Sequence, residues 1–175
     1  GGSMRKAIGD SIVEIKAMDW QGHMRVFRRE ECEFAYRHSR FQSEDCVIIE
    51  ATIELAGGSR NATVAEMLRI LRDRRRKFPL TLPNCGSVFK SDPQLYDTFG
   101  PPGEVLEYLG LKGLRVGGAM VDTKHANFIV NMDNARASDV RSLVGLIRHE
   151  VRQRIGLAVK CEVQFVASQG VVRDI

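Results

Sequence analysis

The feature that most narrows the possible folds is a change of hydrophobic period along the chain. From Ser11 to Ala17 apolar and polar residues alternate, with Val13, Ile15 and Ala17 on one side. After the turn-forming residues 19–22, the run Met24 to Phe27 alternates again. Successive side chains of a strand point to opposite faces, so this pattern predicts an antiparallel hairpin with one buried face. A third run, Cys46 to Leu55, places Val47, Ile49, Ala51, Ile53 and Leu55 together before Gly57-Gly58 ends it.

Farther on, the spacing becomes three and four. Val64, Met67, Leu68 and Leu71 form a helical stripe behind Asn61 as N-cap, with Arg72, Arg74, Arg75, Arg76 and Lys77 complementing the dipole of its last turns. Pro79 stops that helix. Val140, Leu143, Val144, Ile147 and Val151 form a second stripe between Ser138 and Gly156. A short helix with proline in its first turn is expected over 101–109. Strands are expected over 124–131, with His125 and Asn127 on the face away from the core, and over 162–167, with Glu162 and Gln164 pointing outward. The fold class is therefore α+β, with a hairpin at the front. The first 55 residues offer three strands and one short helical stretch near 29–34, too little to cover both faces of a sheet. Helix 61–77 closes that first unit, and a second runs from about 80 to 166.

With 43% hydrophobic and 27% charged residues in 175, the composition is that of an ordered globular chain. No apolar run approaches the roughly 20 residues that span a bilayer, and no leader-like apolar segment opens the sequence, so a cytoplasmic location and no membrane partner are expected. Gly1-Gly2-Ser3-Met4 reads as a tag remnant. Cys32, Cys46, Cys85 and Cys161 are widely separated, which predicts reduced thiols and no metal site. A net charge of +4 and a pI of about 9.0 call for an anionic partner without choosing one. Arg69 and the run from Arg72 to Lys77 could meet nucleic-acid phosphates, but sheets that bind nucleic acid interleave basic residues with exposed aromatics, and only 7% of this chain is aromatic. No nucleic-acid partner is expected.

No Walker loop, G-x-G-x-x-G run or Ser-His-Asp order is present, which removes the common kinase and hydrolase classes. Four polar clusters remain: Tyr36-Arg37-x-Ser39, the basic helix end at Lys77, the loop from Asn84 to Lys90, and Glu162. Each has an ordinary explanation by itself. Arg37 suits a surface ion pair, the arginine run a solvated face, Ser87 a turn, His125 a structural role, and Cys85 a small buried position.

Together, and in this order, the clusters resemble a known family. The residues are Glu30-Glu-Cys-x-Phe-x-Tyr-Arg-x-Ser39, Phe78-Pro-Leu-x-x-Pro-Asn-Cys-Gly-Ser-Val-Phe-Lys90, Gly110-Leu-Lys-Gly-Leu-Arg-Val-Gly-Gly-Ala119, Lys124-His-Ala-Asn-Phe-Ile-Val-Asn131 and Glu162-Val-x-Phe165. From Ile12 to about Val166 the chain is similar to the C-terminal part of UDP-N-acetylenolpyruvoylglucosamine reductase (MurB). The resemblance implies a flavoenzyme that uses FAD and NADPH to reduce UDP-N-acetylglucosamine enolpyruvate to UDP-N-acetylmuramate. It places the chain in peptidoglycan synthesis, and so in cell wall biogenesis, cell shape and cell division.

Residue by residue, the resemblance implies Ser87 as proton donor to C2 of the enolpyruvyl group, with Arg37 and a protonated Glu162 stabilising the developing charge. It implies Lys77, Lys90, His125 and Asn127 as substrate-binding residues, and Tyr36, Arg74 and Gly86 as cofactor-binding ones. It also implies two domains, a partial FAD-binding domain over 5–78 and a compact substrate-binding domain over 79–168. The family's N-terminal FAD-binding loops have no counterpart before Ile12, so the chain is expected to need the missing N-terminal half of the same enzyme, and alone to bind FAD poorly and be inactive. Met120, Ser91 and Gln164 depart from the residues many relatives carry, at positions near the diphosphate or the cofactor. The inserted tyrosine loop of one subclass is absent, which favours the other. A non-catalytic UDP-sugar-binding module and a basic nucleic-acid-binding module are the rival readings.

Overall fold

The computed structural model describes every residue except 1, 4, 5, 171 and 175, with side chains left undescribed at 2, 3, 6, 94 and 172–174. The chain forms two units, Gly1–Thr63 and Val64–Ile175.

In the first unit, β1 (Gly2–Ser3) pairs with β2 (Lys6–Ala7). The predicted hairpin forms β3 (Ile12–Asp19) and β4 (Met24–Arg28), and β5 (Cys46–Ile53) pairs with the other edge of β3, giving the antiparallel order β4-β3-β5. Ile15 stands opposite Phe27 on one side and Ala51 on the other. The small core contains Ile12, Ile15, Ala17, Phe27 and Cys32, with Phe41 packed edge-on to Phe27 at 5.3 Å. Val13 does not join it as the alternation predicts. The β3–β5 register slips between Ile12 and Glu14, and an irregularity of this kind changes which residue faces inward. Ile12 takes the buried place and Val13 is left 43% exposed.

The apolar residues predicted to line one face of β5 also stay exposed: Val47, Ile49 and Ile53, with Leu55 beyond the strand. A 3-10 turn, Arg29–Cys32, leads to a tight corner at 35–38, where Ala35 and His38 exchange backbone hydrogen bonds of 3.1 Å. Arg37 sits at that corner with φ of 54°, a left-handed conformation uncommon for a residue with a Cβ.

Helix α1 (Arg60–Lys77) begins two residues earlier than Asn61 predicts as a cap. The carbonyl of Ser59 accepts the N–H of Thr63 at 3.0 Å and its hydroxyl at 3.1 Å, so Asn61 lies inside the first turn. Val64, Met67, Leu68 and Leu71 are exposed.

The second unit is built on the antiparallel sheet β6-β9-β8-β7, comprising β6 (Asn84–Ser87), β7 (Arg115–Val116), β8 (Ala119–Val121) and β9 (Phe128–Asn131). The short helices α2 (Pro93–Phe99) and α3 (Pro102–Tyr108) precede β7, and α4 (Ala137–Ile155) follows β9. The predicted stripe of α4 holds: Leu143, Val144, Ile147 and Val151 are fully buried in one core with Val88, Phe89, Leu106 and Val121. At its start the Asp139 carboxylate accepts the Arg136 N–H at 3.0 Å, and Gly156 ends it at φ 73°. Gly118 passes so close to the turn after β9 that an added Cβ would collide with the Asp133 carbonyl and the Ala135 backbone. β10 (Gln164–Val166) pairs with β11 (Val172–Asp174).

Two predicted strands are shorter than expected. Residues 124–127 form a turn, because the buried Asp122 carboxylate accepts the N–H groups of Lys124 and His125, both at 2.8 Å, and draws the chain out of the ladder. Glu162 lies ahead of β10, joined to the sheet through the bridge between Phe89 and Cys161.

Candidate active site

β6 looks like a loop in sequence, and its geometry explains why. The Asn84 carboxamide donates to the carbonyls of Pro79 at 3.1 Å and Leu82 at 2.8 Å, while its oxygen accepts the Gly86 N–H at 3.0 Å. Gly86 takes φ of 84°, and the pairing with β9 shifts between Asn84 and Ser87. The result is a bulged edge strand with Ser87 at its end, half-buried. Among the described residues nothing lies within 4 Å of where a Gly86 Cβ would stand.

From Ser87 the chain runs into the core at Val88 and Phe89 and is held from both sides. The Val88 N–H donates to the Asn127 carbonyl at 2.9 Å, and the Asn127 carboxamide bonds both polar groups of the Phe89 backbone, at 2.9 and 3.0 Å. On the opposite edge the Lys90 N–H donates to the Lys160 carbonyl at 2.9 Å, and the Glu162 N–H donates to the Val88 carbonyl at 2.7 Å. The backbones that carry Ser87 and Glu162 are therefore immediate neighbours. Glu162 is half-buried and Lys90 exposed.

His125 occupies the turn after β8, not a strand face. Its ring stacks on Phe78 with centroids 5.2 Å apart and meets Phe128 at 4.9 Å. Desolvation pulls its pKa below the ordinary histidine value, outweighing the influence of nearby Asp122. Nδ1 stands 3.3 Å from the Asn127 N–H and accepts from it in the neutral ring, which leaves Nε2 as the N–H donor. Arg74 continues the stack, its guanidinium 4.8 Å above the Phe78 ring. Lys77, one residue before Phe78, pairs with Asp73 at 3.0 Å on the exposed helix end.

Asn127 shares that turn, with its carboxamide occupied by Phe89. Cys85 is exposed, not buried as its residue type suggests, although desolvation at the sulfur still raises its thiol pKa. Tyr36 and Arg37 belong to the first unit. The Arg37 guanidinium lies 5.2 Å over the Tyr36 ring, and its carbonyl accepts from Gln42 at 3.2 Å. Tyr36 borders an open cavity of about 620 Å³ lined also by Asp10, Arg29, Glu30, Glu33 and Phe34.

Phe78, quoted above only as part of a motif, and Asp122 are neighbours of the candidate residues to which sequence reasoning gives no role. Asp122 precedes Lys124 by the two residues of an Asx turn, a readable signal, whereas the Phe78–His125 stack joins residues 47 apart and leaves none. Among the described residues no group of histidine, cysteine and carboxylate side chains could hold a metal ion, and no helix is long and apolar enough to cross a membrane.

Residues 78–166, just over half of the chain, match the family model of the UDP-N-acetylenolpyruvoylglucosamine reductase C-terminal domain. UDP-N-acetylenolpyruvoylglucosamine reductase 1 of Corynebacterium glutamicum is 39% identical over 170 residues, covering 97% of this chain and 51% of that protein. The reductase of Heliobacterium modesticaldum is 38% identical over 171 residues, covering 97% and 52%. This chain thus spans about half the length of the relatives it matches. The crystal structure of the Thermus caldophilus reductase superimposes with a TM-score of 0.74 at 27% identity, over 91% of this chain and 55% of that one.

Proposed function

Since the chain belongs to the UDP-N-acetylenolpyruvoylglucosamine reductase family, we propose that it carries the substrate-binding and proton-donating part of an enzyme converting UDP-N-acetylglucosamine enolpyruvate to UDP-N-acetylmuramate. The reaction serves peptidoglycan synthesis in the cytoplasm, with NADPH as reductant and FAD as carrier. FAD, when bound, supplies the hydride that C3 of the enolpyruvyl ether receives. Tyr36, with its exposed ring, the open backbone at Gly86 and the Arg74 guanidinium are the groups on this chain that would hold it. The remainder of the flavin site is assigned to the N-terminal half found in full-length relatives.

Once C3 has gained hydride, the C2 carbon carries the electron pair and needs a proton. Ser87 gives its hydroxyl proton to C2, forming the new C–H bond, and the alkoxide recovers a proton from water. A hydroxyl is a weak acid, so the step depends on stabilising the charge spread from C2 into the substrate carboxylate. Arg37 offers that carboxylate a two-pronged donor. Glu162, as the protonated acid, shares a hydrogen bond with the enol form. Lys77 and Lys90 face the diphosphate, and His125 donates through Nε2.

The observation that carries this reading is the 2.7 Å bond from the Glu162 amide to the Val88 carbonyl, which sets the candidate carboxyl and hydroxyl on adjoining backbones. Two measurements test it. In NMR titration of this chain with UDP-N-acetylglucosamine, resonances of Lys77, Ser87, Lys90 and His125 should move together; scattered or absent shifts would sink the site. In a full-length reductase carrying this sequence, Ser87→Ala should lower turnover by about 10²–10⁴-fold while retaining UDP-sugar binding.

A further inference from the structure

We infer that Asn127 is a positioning residue for Ser87: its carboxamide acts as a clamp on Phe89 that sets where the proton-donating strand lies against Glu162, and it is not a ligand for substrate. The inference rests on the reading of Ser87 and Glu162 given above and goes beyond it by moving Asn127 out of the binding set.

A strand in mid-sheet sends its backbone groups alternately to two neighbours. Here the Val88 carbonyl and the Lys90 N–H go to residues 162 and 160, while both Phe89 groups go to the other side, where a neighbouring strand would normally meet them. No strand is there, because residues 124–127 form a turn. The Asn127 side chain supplies the missing partner, its Oδ1 accepting from the Phe89 N–H and its Nδ2 donating to the Phe89 carbonyl. Its own backbone N–H is directed at the His125 ring. Asn127 is 6% exposed and Phe89 1%, so neither Phe89 group has water as an alternative.

Few side chains of this length carry a donor and an acceptor side by side. An aspartate there can accept from the N–H but opposes the carbonyl, and a leucine leaves both groups unpartnered in the core. Without the clamp the segment 87–90 keeps its bonds to 160 and 162 and the Val88 bond to the Asn127 carbonyl, but both Phe89 groups lose their partners, and a slip of one residue there would turn Ser87 to the opposite face. The clamp also explains how an edge strand bulged at Gly86 regains register before Lys90.

In the wild-type chain, a scalar coupling through the hydrogen bond between the Phe89 amide and the Asn127 carboxamide should be measurable and should persist when UDP-N-acetylglucosamine saturates the protein. In Asn127→Asp, amide exchange at Phe89 and Glu162 should accelerate about tenfold or more, and in Asn127→Leu further still. In a full-length reductase bearing this sequence, Asn127→Asp should lower kcat about 10–100-fold and leave KM for the UDP sugar within about twofold.

A coupling that vanishes on ligand binding, or a variant in which KM rises with kcat unchanged, would make Asn127 a ligand and overturn the inference. Unchanged exchange at Phe89 in Asn127→Asp would overturn it as well. If instead the wild-type chain shows no response to the UDP sugar and the wild-type full-length enzyme no turnover, the functional reading fails, while the coupling still decides whether the clamp exists.

Discussion

Asp139, at the first turn of α4, accepts the backbone N–H of Gly118 at 3.3 Å, tying the helix start to the β7–β8 hairpin 21 residues earlier. That bond requires the close approach at Gly118. Alanine there must push aside the backbone of residues 133–135, which no side-chain rotation can relieve. Gly118→Ala should therefore destabilise the second unit by about 3 kcal/mol, read as a drop in the urea midpoint without a change in slope.

The same carboxylate sets an acid limit. Bonds from the Arg136 and Gly118 N–H groups hold Asp139 below the ordinary carboxylate pKa of 3.8. The folded value lies under the unfolded one, so its stabilisation is complete above about pH 4 and is lost as pH falls through the folded pKa. Thermal melts between pH 2 and 5 should show the wild-type Tm falling more steeply than that of Asp139→Ala. Parallel curves would refute the assignment.

His125 produces a second pH dependence, at higher pH. Its folded pKa lies below 6.5, so the unfolded chain binds the proton first and stability declines as pH falls from about 6.5 toward the folded pKa. Carbon-detected NMR titration should give a midpoint below 6.5 for His125. Replacement by glutamine should flatten the stability profile in that window.

The apolar residues exposed on β5 and along α1 make a different prediction. Ile49→Lys and Leu68→Lys remove no buried contact, so each should change unfolding free energy by less than about 0.5 kcal/mol. Both should reduce binding of a hydrophobic dye by this chain. A loss of several kcal/mol in either would show that the residue is covered within the chain.

How much was legible in the sequence follows from how local each cause is. The stripe of α4 and the β3–β4 hairpin are written in runs of neighbouring residues, and both form as read. Ile12 and Val13 exchange roles because a register slip against β5 depends on a partner more than 30 residues away. The strand expected at 124–131 starts late because one carboxylate, Asp122, draws two amides into a turn. β6 hides behind Asn84 and Gly86, which read as loop residues and act as the bulge of a strand. The closeness of Ser87 and Glu162 comes from a single bridge at Phe89 and Cys161 across 72 residues, which no periodicity encodes. The β7–β8 hairpin escaped prediction because its strands are only two and three residues long.

The ring of Phe78, wedged between Arg74 and His125, anchors the chain just where α1 ends. Lys77 therefore emerges from a fixed mounting, one residue from an immobilised aromatic plane, with its ammonium exposed and paired to Asp73. An incoming polyanion would meet a cation whose reach is already bounded, and little backbone freedom would be surrendered when the two engage.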